Sequence, residues 1–177
     1  MQERIGEAFE LGEQLTVVGH KLLREDPAPD FQLEYLDRSD ASIHNMSLSD
    51  SRGTVRLLNV VNSLDTPICH IETRRWEQLS AELPPDVRVY TISMDLPFAL
   101  ARWQSAEGVT HRALSAHRSE QFGEAYGVLI KEWRLLQRAV FVIDRHDRVV
   151  YDEYVADQMR EPDYNAAMQA IRQALAS

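Results

Sequence analysis

The chain has 177 residues, 44% apolar and 27% charged, enough for a domain with a hydrophobic core but without the run of about 18 apolar residues that a membrane span needs. A formal net charge of −9, from 28 acids and 19 bases, argues against a nucleic-acid partner, which would require a basic face. The single cysteine, Cys69, excludes an intrachain disulfide and any cysteine cluster.

The opening segment MQERIGEAFELGEQ has acidic residues where an export signal carries a basic and then an apolar stretch, so a cytoplasmic location is expected. No repeat, low-complexity tract or Gly/Ser/Pro-rich linker marks a boundary, and one domain over 1–177 is expected, with its core at about 15–176. Phe9 to Leu11 and Leu15 to Val18, with turns at Gly12 and Gly19, predict an N-terminal β-hairpin. The segment DPAPDF, from Asp26 to Phe31, predicts extended chain.

Val55 to Val61 is short, apolar and β-branched, as suits a strand buried on both faces. A helix should follow, capped by Asp65 or Thr66, with Pro67 in its first position and an end near Leu83, before Pro84-Pro85. Ile68, Ile71, Trp76, Leu79 and Leu83 would form its apolar stripe. Val87 to Ser93 predicts a second strand, parallel to the first. A second helix runs from about Leu96 to Ala106, opened by Asp95, with Pro97 in its first turn and Gln104 on it. A short helical candidate at Glu120 to Tyr126 precedes strands Arg138 to Ile143 and Arg148 to Val155, joined by a turn at Asp144 to Asp147, and Glu161 to Ala176 predicts the last helix. This order implies an α/β, thioredoxin-like fold, a mixed central sheet flanked by helices.

With Thr66 as N-cap, Cys69 is the third helical residue, where free backbone N–H groups and the helix dipole favour an anion such as a thiolate. On the helical wheel it lies about 100° from Ile68, just off the apolar stripe, and is expected to be half covered. A buried structural thiol is the competing reading. Glu72 stands where a Cys-x-x-Cys motif has its second cysteine, which excludes a dithiol oxidoreductase. His70 adjoins Cys69 but points elsewhere on the helix, and the other five histidines lack metal-ligand spacing, so no metal site is expected.

The segment Asn62-Ser63-Leu64-Asp65-Thr66-Pro67-Ile68-Cys69 resembles the active-site loop of the peroxiredoxins, and its Ser-Leu-Asp-Thr form resembles their thiol peroxidase (Tpx) branch. Ala28 to Phe31, Thr91 to Ala99, Ala125 to Val128, Arg138 to Asp144 and Glu161 to Tyr164 resemble the same branch in the same order. The resemblance implies a thiol-dependent peroxidase acting on hydrogen peroxide or organic hydroperoxides without metal, flavin or haem, and commonly a homodimer. It makes Cys69 the peroxidatic nucleophile, Thr66 the hydroxyl that hydrogen-bonds thiolate and peroxide, and Arg138 the fixed cation.

Two positions depart from the pattern. Asn62 stands where the family has a proline covering the sulfur, and is a candidate substrate-binding residue. Gln104 stands where the branch carries its resolving cysteine. The sulfenic acid formed on Cys69 would therefore be recycled by an outside thiol: thioredoxin, glutaredoxin, a low-molecular-weight thiol, or Cys69 of a second copy. A redox sensor or binding protein with little peroxidase turnover is the alternative reading.

Overall fold

A computed structural model describes all 177 residues. Strands β1 (Glu3–Glu10) and β2 (Glu13–Val18) form the expected antiparallel hairpin around Leu11 and Gly12. The first strand is longer than predicted. Its Ala8 packs beside Leu15, Val17 and Ile130, which gives the polar ends of the hairpin a small core to close on.

A second hairpin, β3 (Gln32–Asp37) with β4 (Ser42–Ser47), was not expected. Its outer strand has no fully buried residue, so the apolar alternation that betrays a strand is missing. The central unit is as predicted: β5 (Val55–Val60), α1 (Pro67–Ser80) and β6 (Val87–Ser93), with β5 and β6 parallel. All six residues of β5 are buried. Then come α2 (Pro97–Glu107), β7 (Arg112–Ser115), α3 (Gln121–Ala125), β8 (Leu129–Ile130), β9 (Leu135–Leu136), β10 (Ala139–Ile143), β11 (Val149–Tyr154) and α4 (Tyr164–Ala176).

A seven-stranded mixed sheet runs β11-β10-β5-β6-β7-β3-β4, and a smaller one runs β1-β2-β8-β9. On one face of the large sheet Val55 and Leu57 pack with Trp76 of α1 and Ala167 and Ile171 of α4. On the other, Leu58 and Val60 meet Phe31, Phe122 and Tyr126. Each fully buried Val, Leu, Ile or Phe among these contributes roughly 1.5–3 kcal/mol. Leu100 and Trp103 of α2 pack with Val61, Leu64 and Cys69, tying α2 to the start of α1. This is the thioredoxin-like α/β arrangement, and no helix is long and apolar enough to cross a membrane.

Two helix ends differ from expectation. Helix α1 stops at Ser80, and the chain reaches Leu83 through turn bonds, Glu82 N–H to Leu79 C=O and Leu83 N–H to Ser80 C=O. Helix α4 starts at Tyr164 because the Asp163 carboxylate accepts from Ala166 N–H at 3.0 Å, which defines the cap there.

The inward face of α1 also differs. Its buried residues are Cys69, Glu72, Thr73 and Trp76, one stripe at helical spacing, while Ile71 is 51% exposed. Cys69 is therefore fully buried rather than half covered. A wheel drawn through the apolar residues is rotated away from the true inward face, because two of the inward residues are polar and find partners inside, Glu72 with Arg138 and Thr73 with Asn59.

Candidate active site

The loop after β5 and the first turn of α1 place the thiol. Thr66 is the N-cap, with extended backbone at φ −96° and ψ 147°, and Pro67 opens the helix, so Cys69 sits in the first turn where amide N–H groups lack intrahelical acceptors. The loop is braced by Asp95, whose carboxylate accepts from Ser63 Oγ at 2.7 Å, Leu64 N–H at 2.9 Å and Ser93 Oγ at 2.8 Å. Asp95 does not open α2, since the N-cap of that helix is Leu96. Two of these bonds anchor the loop that leads into α1, and the third, from the end of β6, fixes the carboxylate that receives them.

The guanidinium of Arg138, 1% exposed, enters from the start of β10. Its Nη1 donates to Cys69 Sγ at 3.3 Å and to the Glu72 carboxyl. Its Nη2 donates to the Gln158 carbonyl at 2.8 Å and to Asn62 Oδ1 at 3.4 Å. Burial works against its charge, but Glu72 and Cys69 beside it outweigh that and hold its pKa above the ordinary arginine value.

Asn62 is also buried, and both of its amide donors are engaged, with Leu136 C=O at 2.6 Å and Gln158 Oε1 at 3.1 Å. The orientation of Gln158 is set in turn: its Oε1 accepts from Arg138 N–H at 2.9 Å, and its Nε2 donates to the Val155 and Ala156 carbonyls. Asn62 therefore presents an oxygen, not an N–H, toward the sulfur, with Cys69 Sγ 4.0 Å from Oδ1.

The structure thus brings Cys69, Arg138 and Asn62 together. Thr66 lies one turn away with its hydroxyl donating to the Ser63 carbonyl at 2.7 Å, so that proton is not directed at the sulfur in this conformation. Gln104 lies on α2, where its side-chain amide donates to the His111 carbonyl at 2.6 Å. His70 points away from the sulfur, accepting from Trp103 Nε1 at 3.1 Å.

Glu72 is the group that sequence reasoning passed over. It is fully buried, and burial pushes its carboxyl up to about 8, an effect the Arg138 charge offsets only in part. Its position three residues after Cys69, on the same helix face, was the available signal. Gln158 had no local signal, because a loop far along the chain delivers it.

A helix-start thiol under a buried guanidinium, on a thioredoxin-like sheet, defines the class. The chain belongs to the AhpC/TSA family, whose model matches residues 25–152. Within that family its similarity is to the thiol peroxidases: it is 44% identical over 162 residues to a thiol peroxidase of Bacillus subtilis, covering 91% of this chain and 93% of that one. Among solved structures it is similar to a peroxiredoxin-like protein from Aquifex aeolicus, with a TM-score of 0.84 at 28% identity over 98% of this chain and 99% of that one. A thiol peroxidase from Chromobacterium violaceum has the same fold, with a TM-score of 0.83 at 23% identity, covering 99% of each chain.

Proposed function

We propose that this protein reduces hydroperoxides with Cys69 as nucleophile, in a cycle that uses one cysteine per chain. The observation that supports this best is the Arg138 guanidinium, fixed 3.3 Å from Sγ in a site closed to bulk water. A cation already in place stabilises both the thiolate and the charge that develops on the departing oxygen. The thiolate attacks the terminal peroxide oxygen, the S–O bond forms as the O–O bond breaks, and an alkoxide or hydroxide leaves and is protonated. Cys69 becomes a sulfenic acid.

Asn62 Oδ1, with its amide donors already committed, accepts the hydroperoxide O–H in this reading. Thr66 turns its hydroxyl from the Ser63 carbonyl to the peroxide when substrate enters. With glutamine at position 104, the sulfenic acid condenses with an external thiol, expelling water, and a second thiol then frees Cys69. That thiol is a small molecule or is carried by thioredoxin or glutaredoxin. The protein works as a homodimer in the cytoplasm.

The test is one equivalent of hydrogen peroxide or an alkyl hydroperoxide added to reduced protein, followed by a sulfenic-acid trap and mass spectrometry. Cys69 should be modified stoichiometrically, and peroxide consumption should become catalytic when an external thiol is supplied. An unmodified Cys69 at equimolar peroxide overturns the peroxidase reading; modification without turnover by any thiol overturns the cycle.

A further inference from the structure

We propose that Cys69 and Glu72 share a single ionisable proton under Arg138, so that Glu72 holds the proton whenever Cys69 is the thiolate and gives it up when the sulfur is oxidised. The geometry is a count of donors and charges. Nη1 of one guanidinium donates to both Sγ and the Glu72 carboxyl, and all three side chains are at most 1% exposed. One buried cation is neutralised by one anion; two anions there would leave an uncompensated negative charge out of water.

The hydrogen bonding of Glu72 supports the neutral form independently. Its Oε2 is engaged by Arg138, while Oε1 is buried with no partner. No group reaches Oε1, so a carboxylate would leave a charged oxygen without a donor and a protonated carboxyl would leave a neutral O–H without an acceptor, and the second costs less than the first. The other ionisable groups acting on Glu72 push the same way. Glu153 of β11 and Glu161 of the loop before α4 both disfavour a further negative charge, and Tyr164 of α4 spends its hydroxyl on Glu161 at 2.7 Å. Arg138 is the cation set most directly against them, and Arg75 of α1 lies over the Tyr164 ring, 6.0 Å from its centroid.

This sharing deepens the peroxide chemistry proposed above and depends on it for its role in turnover, although the proton equilibrium itself needs no peroxide. Before reaction the cluster is Arg⁺, thiolate and carboxylic acid, with zero net charge. Attack oxidises the sulfur by two electrons and reduces the peroxide by two, leaving Cys–S–OH and an alkoxide. The alkoxide gains a proton as Glu72 loses one, so the product cluster is Arg⁺, sulfenic acid and carboxylate, again with zero net charge. Glu72 acts through Arg138 and is a positioning and charge-balancing residue; it does not touch the peroxide. As the carboxylate it also keeps Arg138 paired while Cys69 waits, uncharged, for its reductant.

The test follows the side-chain carboxyl carbons of glutamate by NMR across pH in reduced wild type, in Glu72→Gln and in Cys69→Ser. In wild type one carboxyl, absent from Glu72→Gln, should still be protonated at pH 7. In Cys69→Ser, where no thiolate competes for Arg138, its midpoint should fall by about one pH unit or more. The thiolate absorbance should also rise at lower pH in Glu72→Gln than in wild type. A Glu72 carboxyl ionised at pH 7 in the wild type, or one whose midpoint is unmoved in Cys69→Ser, overturns the sharing. Both readouts require only reduced protein, so failure here is distinct from failure of Cys69 to react with peroxide.

Discussion

Replacing Glu72 with glutamine should change how stability depends on pH, and the size of the change follows from its burial. The carboxyl is raised from an ordinary 4.5 to about 8 in the folded protein, so between those values the folded state binds more protons than the unfolded one. Folding stability then falls as pH rises through this window and is highest, for this group, below 4.5. Each pH unit is worth about 1.4 kcal/mol, which sets a ceiling of about 5 kcal/mol across the window. Glutamine keeps the shape and the acceptor facing Arg138 but has no proton to lose. Urea unfolding at half-unit steps from pH 5 to pH 8 should therefore show the variant close to wild type at pH 5 and progressively more stable relative to it toward pH 8. Parallel curves across that range would refute both the burial argument and the assignment of Glu72 as a neutral acid.

Arg138→Met should slow oxidation of Cys69 by stoichiometric peroxide about 10²–10³-fold, the usual loss when a fixed donor to developing negative charge is removed; stopped-flow tryptophan fluorescence reads the rate. Arg138→Lys should recover only part of it, because an ammonium cannot span Sγ, Glu72, Asn62 and the Gln158 carbonyl. Glu77 accepts from His111 Nδ1 at 2.6 Å and from Thr110 N–H at 2.8 Å, with its carboxyl held down to about 2 chiefly by the His111 bond. Its stabilisation is present above pH 4.5 and lost as pH falls toward 2, so Glu77→Gln should cost roughly 1–2 kcal/mol at pH 6, allowing for solvent screening, and little at pH 2. Asn62→Ala should destabilise by about 1–3 kcal/mol in chemical denaturation by leaving the buried Leu136 carbonyl and Gln158 Oε1 each short of a donor.

The parts of the fold legible in the sequence were those whose burial is symmetric. The residues of β5 are buried on both faces and apolar with two exceptions, and β6 and β10 are likewise rich in buried apolar side chains, so their runs of Val, Leu and Ile needed no partner to be recognised. The exceptions within β5 are instructive. Arg56 is fully buried and paired with Asp147 of the turn before β11, and Asn59 is tied to Thr73 and Thr91 at 3.2 and 3.0 Å. The edge hairpin and the short strands β7, β8 and β9 were not legible, because a polar outer strand or a two-residue ladder exists only through what it pairs with.

At the site the same limit fell on polarity. Cys69 and Thr66 could be placed from helix-start chemistry alone, and Arg138 and Asn62 through family resemblance, but an apolar wheel turned α1 the wrong way. It counted Ile71 as inward and left Glu72 outside, although Glu72 is the fully buried residue and Ile71 is half exposed. A carboxyl enters a core only when something inside compensates it, and here the compensator is Arg138, separated from it by nearly the whole β6-to-β10 stretch of chain. A helix rule that allows one acid on the buried stripe, provided an arginine elsewhere in the chain lacks a surface role, would have turned the wheel correctly. It would also have placed Cys69 inside, beside the same guanidinium.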